Sequence, residues 1–172
     1  ITVTAGATQA LYTAFSAIIK HGDEVIIFEP AYDSYIPAIV ANGGTPISIK
    51  LNADDFSIPW KEVEKAITNN TKCIVINSPH NPTGAILKEA DILQLQQIVK
   101  NTNIFLISDE VYEHIIFDNQ EHCSFSRHEE LGKRSFIISS FGKTFHTTGW
   151  KMGYCCAPEN LMVEFRKFHQ FI

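Results

Sequence analysis

A chain of 172 residues, 45% hydrophobic and 19% charged, has the composition of a globular protein with one sizeable core, or of part of a larger domain. Its formal charge of -5 and the lack of any Lys/Arg stripe argue against nucleic acid as a partner, and no run approaches the apolar length of a membrane span. There is no signal-peptide pattern, and Cys73, Cys123, Cys155 and Cys156 lack the paired spacing of a zinc site; read as small hydrophobes in a reducing compartment, they point to the cytoplasm.

The chain begins at Ile1 in an apolar, β-branched run and stops at Ile172 in a helical pattern, so it is expected to be a piece of a longer protein. Helical periodicity over Gly6 to Lys20 puts Leu11, Phe15, Ile18 and Ile19 on one face, and His21, Gly22 and Asp23 end it. Val25 to Phe28 reads as a buried strand broken by Pro30. Tyr32 to Ala41 is predicted to be a second helix, closed by Asn42, Gly43 and Gly44. Pro46 to Leu51 is a strand, and Ser57 is expected to cap a helix over Trp60 to Thr68. Then come a strand at Lys72 to Ile76, an amphipathic helix at Lys88 to Lys100, and strands at Ile104 to Ser108, Phe136 to Ser139 and Gly153 to Ala157. A last helix begins near Pro158. Strands alternating with helices predict one α/β domain with a mainly parallel central sheet and helices on both faces.

The polar motifs fall where these strands end, which is where open α/β sheets bind ligands. Gly6, Ala7 and Thr8 open a helix, and its free N–H groups either hold a phosphate or are simply capped. Tyr32 either stacks on a flat heterocycle or packs, while Asp33 and Tyr35 are read as scaffold. In NSPHNPTG, Asn77 and Asn81 can donate to a phenolic oxygen or bond their own turn, and His80 is read as a turn residue. Asp109, ending an apolar strand, either caps local backbone or meets a cation such as a protonated pyridine nitrogen. Tyr112, three residues on, can reach a phenolic oxygen of the same ring.

In SSFGKTFHTTGWKMGY, Lys143 lies in a loop of small and hydroxylated residues and Lys151 follows it. A P-loop is excluded, because the glycine it requires five places before the Gly142-Lys143 pair is Ile137. An amine in such a loop can condense with an aldehyde, and a second cation can neutralise a phosphate. The cofactor that needs both is pyridoxal 5'-phosphate.

The segments TVTAGATQAL, EPAYDSY, NSPHNPTG, SDEVYEH and SSFGKTFHTTGWKMGY, in this order, resemble the large domain of class I/II pyridoxal-phosphate aminotransferases of fold type I. The likeness is to the kynurenine and methionine aminotransferase branch, with bacterial methionine aminotransferases nearest. The resemblance implies that Lys143 forms a Schiff base with the cofactor, Asp109 pairs with its pyridine nitrogen, and Asn81 and Tyr112 bond its phenolic oxygen. It further implies that Tyr32 stacks on the ring, that Ala7, Thr8, Ser140 and Lys151 hold the phosphate, and that Asn77 supports the edge near Asn81. The implied activity exchanges an amino group between an amino acid, methionine or aromatic, and a 2-oxo acid, in a homodimer. Such enzymes bind the substrate carboxylate through an arginine of a C-terminal small domain. Arg127, Arg134 and Arg166 lie in no matching motif, so residues 1–172 are expected to be the cofactor-binding large domain and to transaminate weakly alone. A carbon–sulfur lyase on the same scaffold and a non-catalytic sensor domain are the alternatives that these motifs leave open.

Overall fold

The computed structural model describes all residues, 1–172. Seven strands form a single sheet: β1 (Thr2–Thr4), β2 (Glu24–Glu29), β3 (Thr45–Lys50), β4 (Thr71–Asn77), β5 (Phe105–Asp109), β6 (Ser135–Ser140) and β7 (Gly153–Cys156). Their spatial order is β1-β7-β6-β5-β4-β2-β3. The five strands from β6 to β3 run parallel, β7 is reversed beside β6, and β1 pairs antiparallel with β7 at the edge. A mainly parallel α/β sheet is thus what the alternating pattern produces.

Strand side chains alternate between faces, and both faces here are apolar, which is why the central strands read as unbroken hydrophobic runs. One face carries Val25, Ile27, Cys73, Val75, Ile107, Phe136 and Ile138. Against it pack α1 (Gly6–Ile18), α2 (Tyr35–Ala41) and α7 (Glu159–His169), through Leu11, Phe15, Ile39 and Phe165 among others. The opposite face carries Ile26, Ile74, Ile76 and Leu106 and is covered by α3 (Trp60–Ala66), α4 (Glu89–Val99) and α5 (Glu129–Gly132), with Val63, Ile92, Leu95 and Leu131 inserted. Fully burying one such Leu, Ile or Phe stabilises the fold by about 1.5–3 kcal/mol. All four cysteines are free, two of them, Cys73 and Cys155, buried in this core.

Several local expectations are corrected. The second helix starts at Tyr35 rather than Tyr32, because residues 32–34 form the turn leaving β2. Ser57 does not cap α3: Pro59 holds that position without a side-chain bond, and the Ser57 hydroxyl instead accepts from Asn52 Nδ2 at 2.7 Å. That helix ends at Ala66, and the first helix at Ile18. Three elements, β1, α5 and the single turn α6 (Phe141–Thr144), and the two 3-10 turns Phe125–Arg127 and Thr148–Trp150, were outside the predicted set; all are too short for periodicity to reveal.

Candidate active site

Parity along the strands decides where the polar residues go. Asn77, Asp109 and Ser140 end β4, β5 and β6 in step with Val75, Ile107 and Ile138, so they share the α1/α2/α7 face at the carboxyl edge of the sheet. There they line a cavity of about 250 Å³. All ten residues singled out from the sequence line it: Ala7, Thr8, Tyr32, Asn77, Asn81, Asp109, Tyr112, Ser140, Lys143 and Lys151.

One end of the cavity suits an anion. Ala7 and Thr8 occupy the first turn of α1, whose N–H groups have no carbonyl to bond within the helix. Neither a cap side chain nor an acidic residue of that turn competes for them. Lys151, in a left-handed conformation at φ 52°, lays its side chain against this turn: a Cβ on Gly6 would stand 3.4 Å from its Cε and 3.5 Å from its Nζ. A cation at the positive end of a helix is unfavourable by about 0.3–1 kcal/mol until an anion lies between them. Gly153 allows this closeness, since a Cβ there would stand 2.7 Å from the Ala7 nitrogen.

Another part of the wall is a buried acid. Asp109 is 2% exposed and has no cationic partner; its Oδ2 accepts from the Tyr35 hydroxyl at 2.5 Å, and Oδ1 only weakly, from Val111 N at 3.4 Å. Burial pushes its carboxyl up to about 6, against the lowering effect of the Tyr35 bond. Oδ1 thus keeps acceptor capacity for a donor in the cavity. The wall also includes Tyr32, whose hydroxyl is 3.4 Å from Thr8 Oγ1, and Tyr112, whose ring centroid is 5.7 Å from Lys143 Nζ. Lys143 itself hangs from α6, directly after β6, and takes part in no ion pair.

Asn77 has a different job from Asn81. Its Nδ2 donates to the Asp109 carbonyl at 2.9 Å and its Oδ1 accepts from Asn81 N at 2.7 Å, so its amide is committed to the protein. It fixes the Asn81 turn to the end of β5. His80 is a turn residue as expected, with Nδ1 2.8 Å from Thr83 Oγ1.

The structure adds supporting partners for three side chains: Tyr35, read as scaffold from the sequence, and Glu113 and Glu110, which were not singled out. Tyr35 holds Asp109, and its spacing of three from Tyr32 is the signal that the two share a turn. Glu113 accepts from Ser139 Oγ at 2.5 Å and Tyr154 hydroxyl at 3.1 Å, tying the Tyr112 turn to β6 and β7. Glu110, on the opposite face from Asp109, accepts from Ser108 Oγ, His122 Nε2 and Phe125 N. Burial alone would raise its carboxyl, but the bonds from His122 and Ser108 hold it below the usual range.

Known proteins carry the same arrangement of chain. Residues 1–172 match the family model for aminotransferase class I and II. The methionine aminotransferase of Escherichia coli K12 is 48% identical over 172 residues, 100% of this chain and 45% of its own length. The kynurenine–oxoglutarate transaminase of Dictyostelium discoideum is 36% identical over 189 residues, 100% of this chain and 43% of its own. The crystal structure of Escherichia coli YbdL, whose study identified a methionine aminotransferase function, aligns at a TM-score of 0.97 and 48% identity, over 99% of this chain and 45% of that one. The chain therefore spans less than half the length of these relatives. With the family model matched from the first residue to the last, and the fold superposing at a TM-score of 0.97, the chain belongs to the class I and II aminotransferases.

Proposed function

We propose that this chain holds pyridoxal 5'-phosphate and forms the cofactor-binding part of an enzyme that moves amino groups between an amino acid and a 2-oxo acid. The observation that carries this is the set of groups on one cavity wall: a helix N-terminus with Lys151 beside it, a buried carboxyl without a cationic partner, and a lysine that takes part in no ion pair. A phosphate, a protonated ring nitrogen and an aldehyde match these three in order. When bound, the cofactor supplies an aldehyde to an amine and a cationic ring that takes up the electrons left by a departing α-proton.

The chain's own residues do the rest. Ala7 and Thr8 N–H, Ser140 and Lys151 bind the phosphate. Tyr32 supports the ring face, Asn81 and Tyr112 donate to or accept from its phenolic oxygen, and Asn77 fixes Asn81 in place. Asp109 keeps the ring nitrogen protonated. Lys143 Nζ would anchor the cofactor's aldehyde carbon and would serve as base and then acid for the proton at the substrate α-carbon.

Residues 1–172 form the large domain. No arginine lines the cavity, so the substrate carboxylate is held by groups outside these residues. The similarity to methionine and kynurenine aminotransferases supports a methionine-like or aromatic amino acid as donor. Phe145 and Trp150, 63% and 77% exposed on the loop beside the cavity, support a homodimer that covers them. No helix is long and apolar enough to cross a membrane, and four free cysteines favour a cytoplasmic enzyme.

The test is an absorbance spectrum with added pyridoxal phosphate, for the wild type and for Lys143→Ala. The wild type is expected to show a cofactor–lysine band that the variant lacks. No band in the wild type, or the same band in both, would sink the assignment.

A further inference from the structure

Asp109 needs more than burial to act on a ring nitrogen: its carboxylate must be aimed and must stay the weaker base of the pair. The structure offers one strong donor for this purpose. Tyr35, the first residue of α2 and 3% exposed, donates its hydroxyl to Asp109 Oδ2 at 2.5 Å. The same ring meets Tyr32 edge to face, with centroids 5.7 Å apart and planes at 82°. Tyr32 and Asp109 both line the cavity, whereas Tyr35 does not. One buried side chain behind the wall therefore touches two residues that face inward.

We propose that Tyr35 is a positioning residue of this site: its hydroxyl aims the Asp109 carboxylate and withdraws charge from it, while its ring braces Tyr32 as a stacking platform. This rests on the assignment of the cavity to pyridoxal phosphate. A hydrogen bond to the charged carboxylate lowers its basicity, so the proton shared with a ring nitrogen stays on the nitrogen. The other titratable groups here are Glu110, beside Asp109, and Tyr32 and Tyr112, beside Tyr35. None of them takes the place of Tyr35, because none bonds the Asp109 carboxylate. Burial and the neighbouring carboxylate both push the Tyr35 hydroxyl well above its ordinary value, so it remains a donor wherever the enzyme works. The edge-to-face contact restricts Tyr32 to one ring plane, the requirement for stacking on a flat ligand.

The experiment is the nitrogen-15 chemical shift of ring-labelled pyridoxal phosphate bound to the protein, with cofactor affinity measured beside it. Tyr35→Phe keeps the ring and removes the hydroxyl; Tyr35→Leu removes both. The wild-type signal is expected at the protonated position. Tyr35→Phe should move it toward an unprotonated pyridine, because Asp109 then takes a larger share of the proton. Tyr35→Leu should do the same and also weaken cofactor binding beyond Tyr35→Phe. Fluorotyrosine at position 35, a stronger donor of nearly the same shape, should move the signal the opposite way, and it answers the question even if Tyr35→Phe does not fold. A normal wild-type signal unmoved by these changes overturns the role of Tyr35 alone. A wild type with no bound-cofactor signal overturns the cavity assignment and this inference with it.

Discussion

Gly153 offers the most direct test of the phosphate cradle, since a single methyl group added there strikes the backbone that forms it. In Gly153→Ala the new Cβ would lie 2.7 Å from Ala7 N, 2.8 Å from the Gly6 carbonyl carbon and 2.9 Å from Ser139 O. Gly153 sits between β1 and β6, paired with Thr4 and Ser140, so the strand has little room to move away. Restoring an ordinary contact of about 3.4 Å displaces the Ala7 nitrogen by about 0.7 Å, enough to break a hydrogen bond to an anion. Losing a hydrogen bond to a charged group costs about 1.5–3 kcal/mol, or about 10- to 150-fold in affinity. Overpacking also destabilises the fold by about 1–3 kcal/mol. The assay is titration of the purified variant, checked for folding by circular dichroism, with pyridoxal phosphate and with pyridoxal. The phosphate ester should lose its affinity advantage, while pyridoxal, held through the ring and Lys143, should change little. An equal loss for both ligands, or none for either, would refute the placement of the phosphate at Ala7.

Other expectations can be checked independently. Burial raises the Asp109 pKa from 3.8 to about 6, so cofactor-free protein keeps this proton in the native state after the unfolded chain has lost it. Its contribution to stability is therefore fully present below pH 3.8 and lost as pH rises to about 6, about 3 kcal/mol in all. Urea unfolding of wild type and Asp109→Asn at pH 4 and 7 should show the difference shifting toward the variant by that order; a constant difference contradicts it. Ser57→Ala should cost under about 0.5 kcal/mol in chemical unfolding, where loss of a true cap would cost about 1 kcal/mol. Glu110→Leu leaves His122 and the Phe125 N–H without their acceptor, and thermal melts should show a loss of about 3 kcal/mol or more. The 172-residue chain alone should bind cofactor yet turn over substrate poorly in a steady-state assay, because no arginine reaches the cavity; normal turnover would contradict the assignment of the carboxylate site.

Much of this architecture was legible because it is written locally. The β-branched runs that end in Asn77, Asp109 and Ser140 declared both the strands and their functional edge, and all ten chosen residues meet in one cavity. What stayed hidden depends on partners distant in sequence. Ser57 is a good cap by type, but Asn52 claims its hydroxyl. Tyr35 looks like scaffold until the sheet brings Asp109, 74 positions away, within bonding distance. The short strand β1 carries no period of its own and is defined by β7, which it meets only in the folded chain. Asn77 lines the cavity, and its commitment to the Asp109 carbonyl and Asn81 N follows from register between β4 and β5.

The pairing of β1 with β7 sets Thr2 opposite Cys155, bringing the two ends of the chain together across almost its entire length. Such a contact pays its loop-closure entropy before it yields any energy, so it belongs among the late events of folding. The anion cradle straddles that same seam, with Ala7 and Thr8 from one end and Ser140 and Lys151 from the other. By the proposed assignment, a phosphate seated there would act as a removable staple between two segments far apart in sequence. Because it binds only once they have met, it draws the population toward the closed topology, by about 2.7 kcal/mol at a hundredfold excess over its dissociation constant.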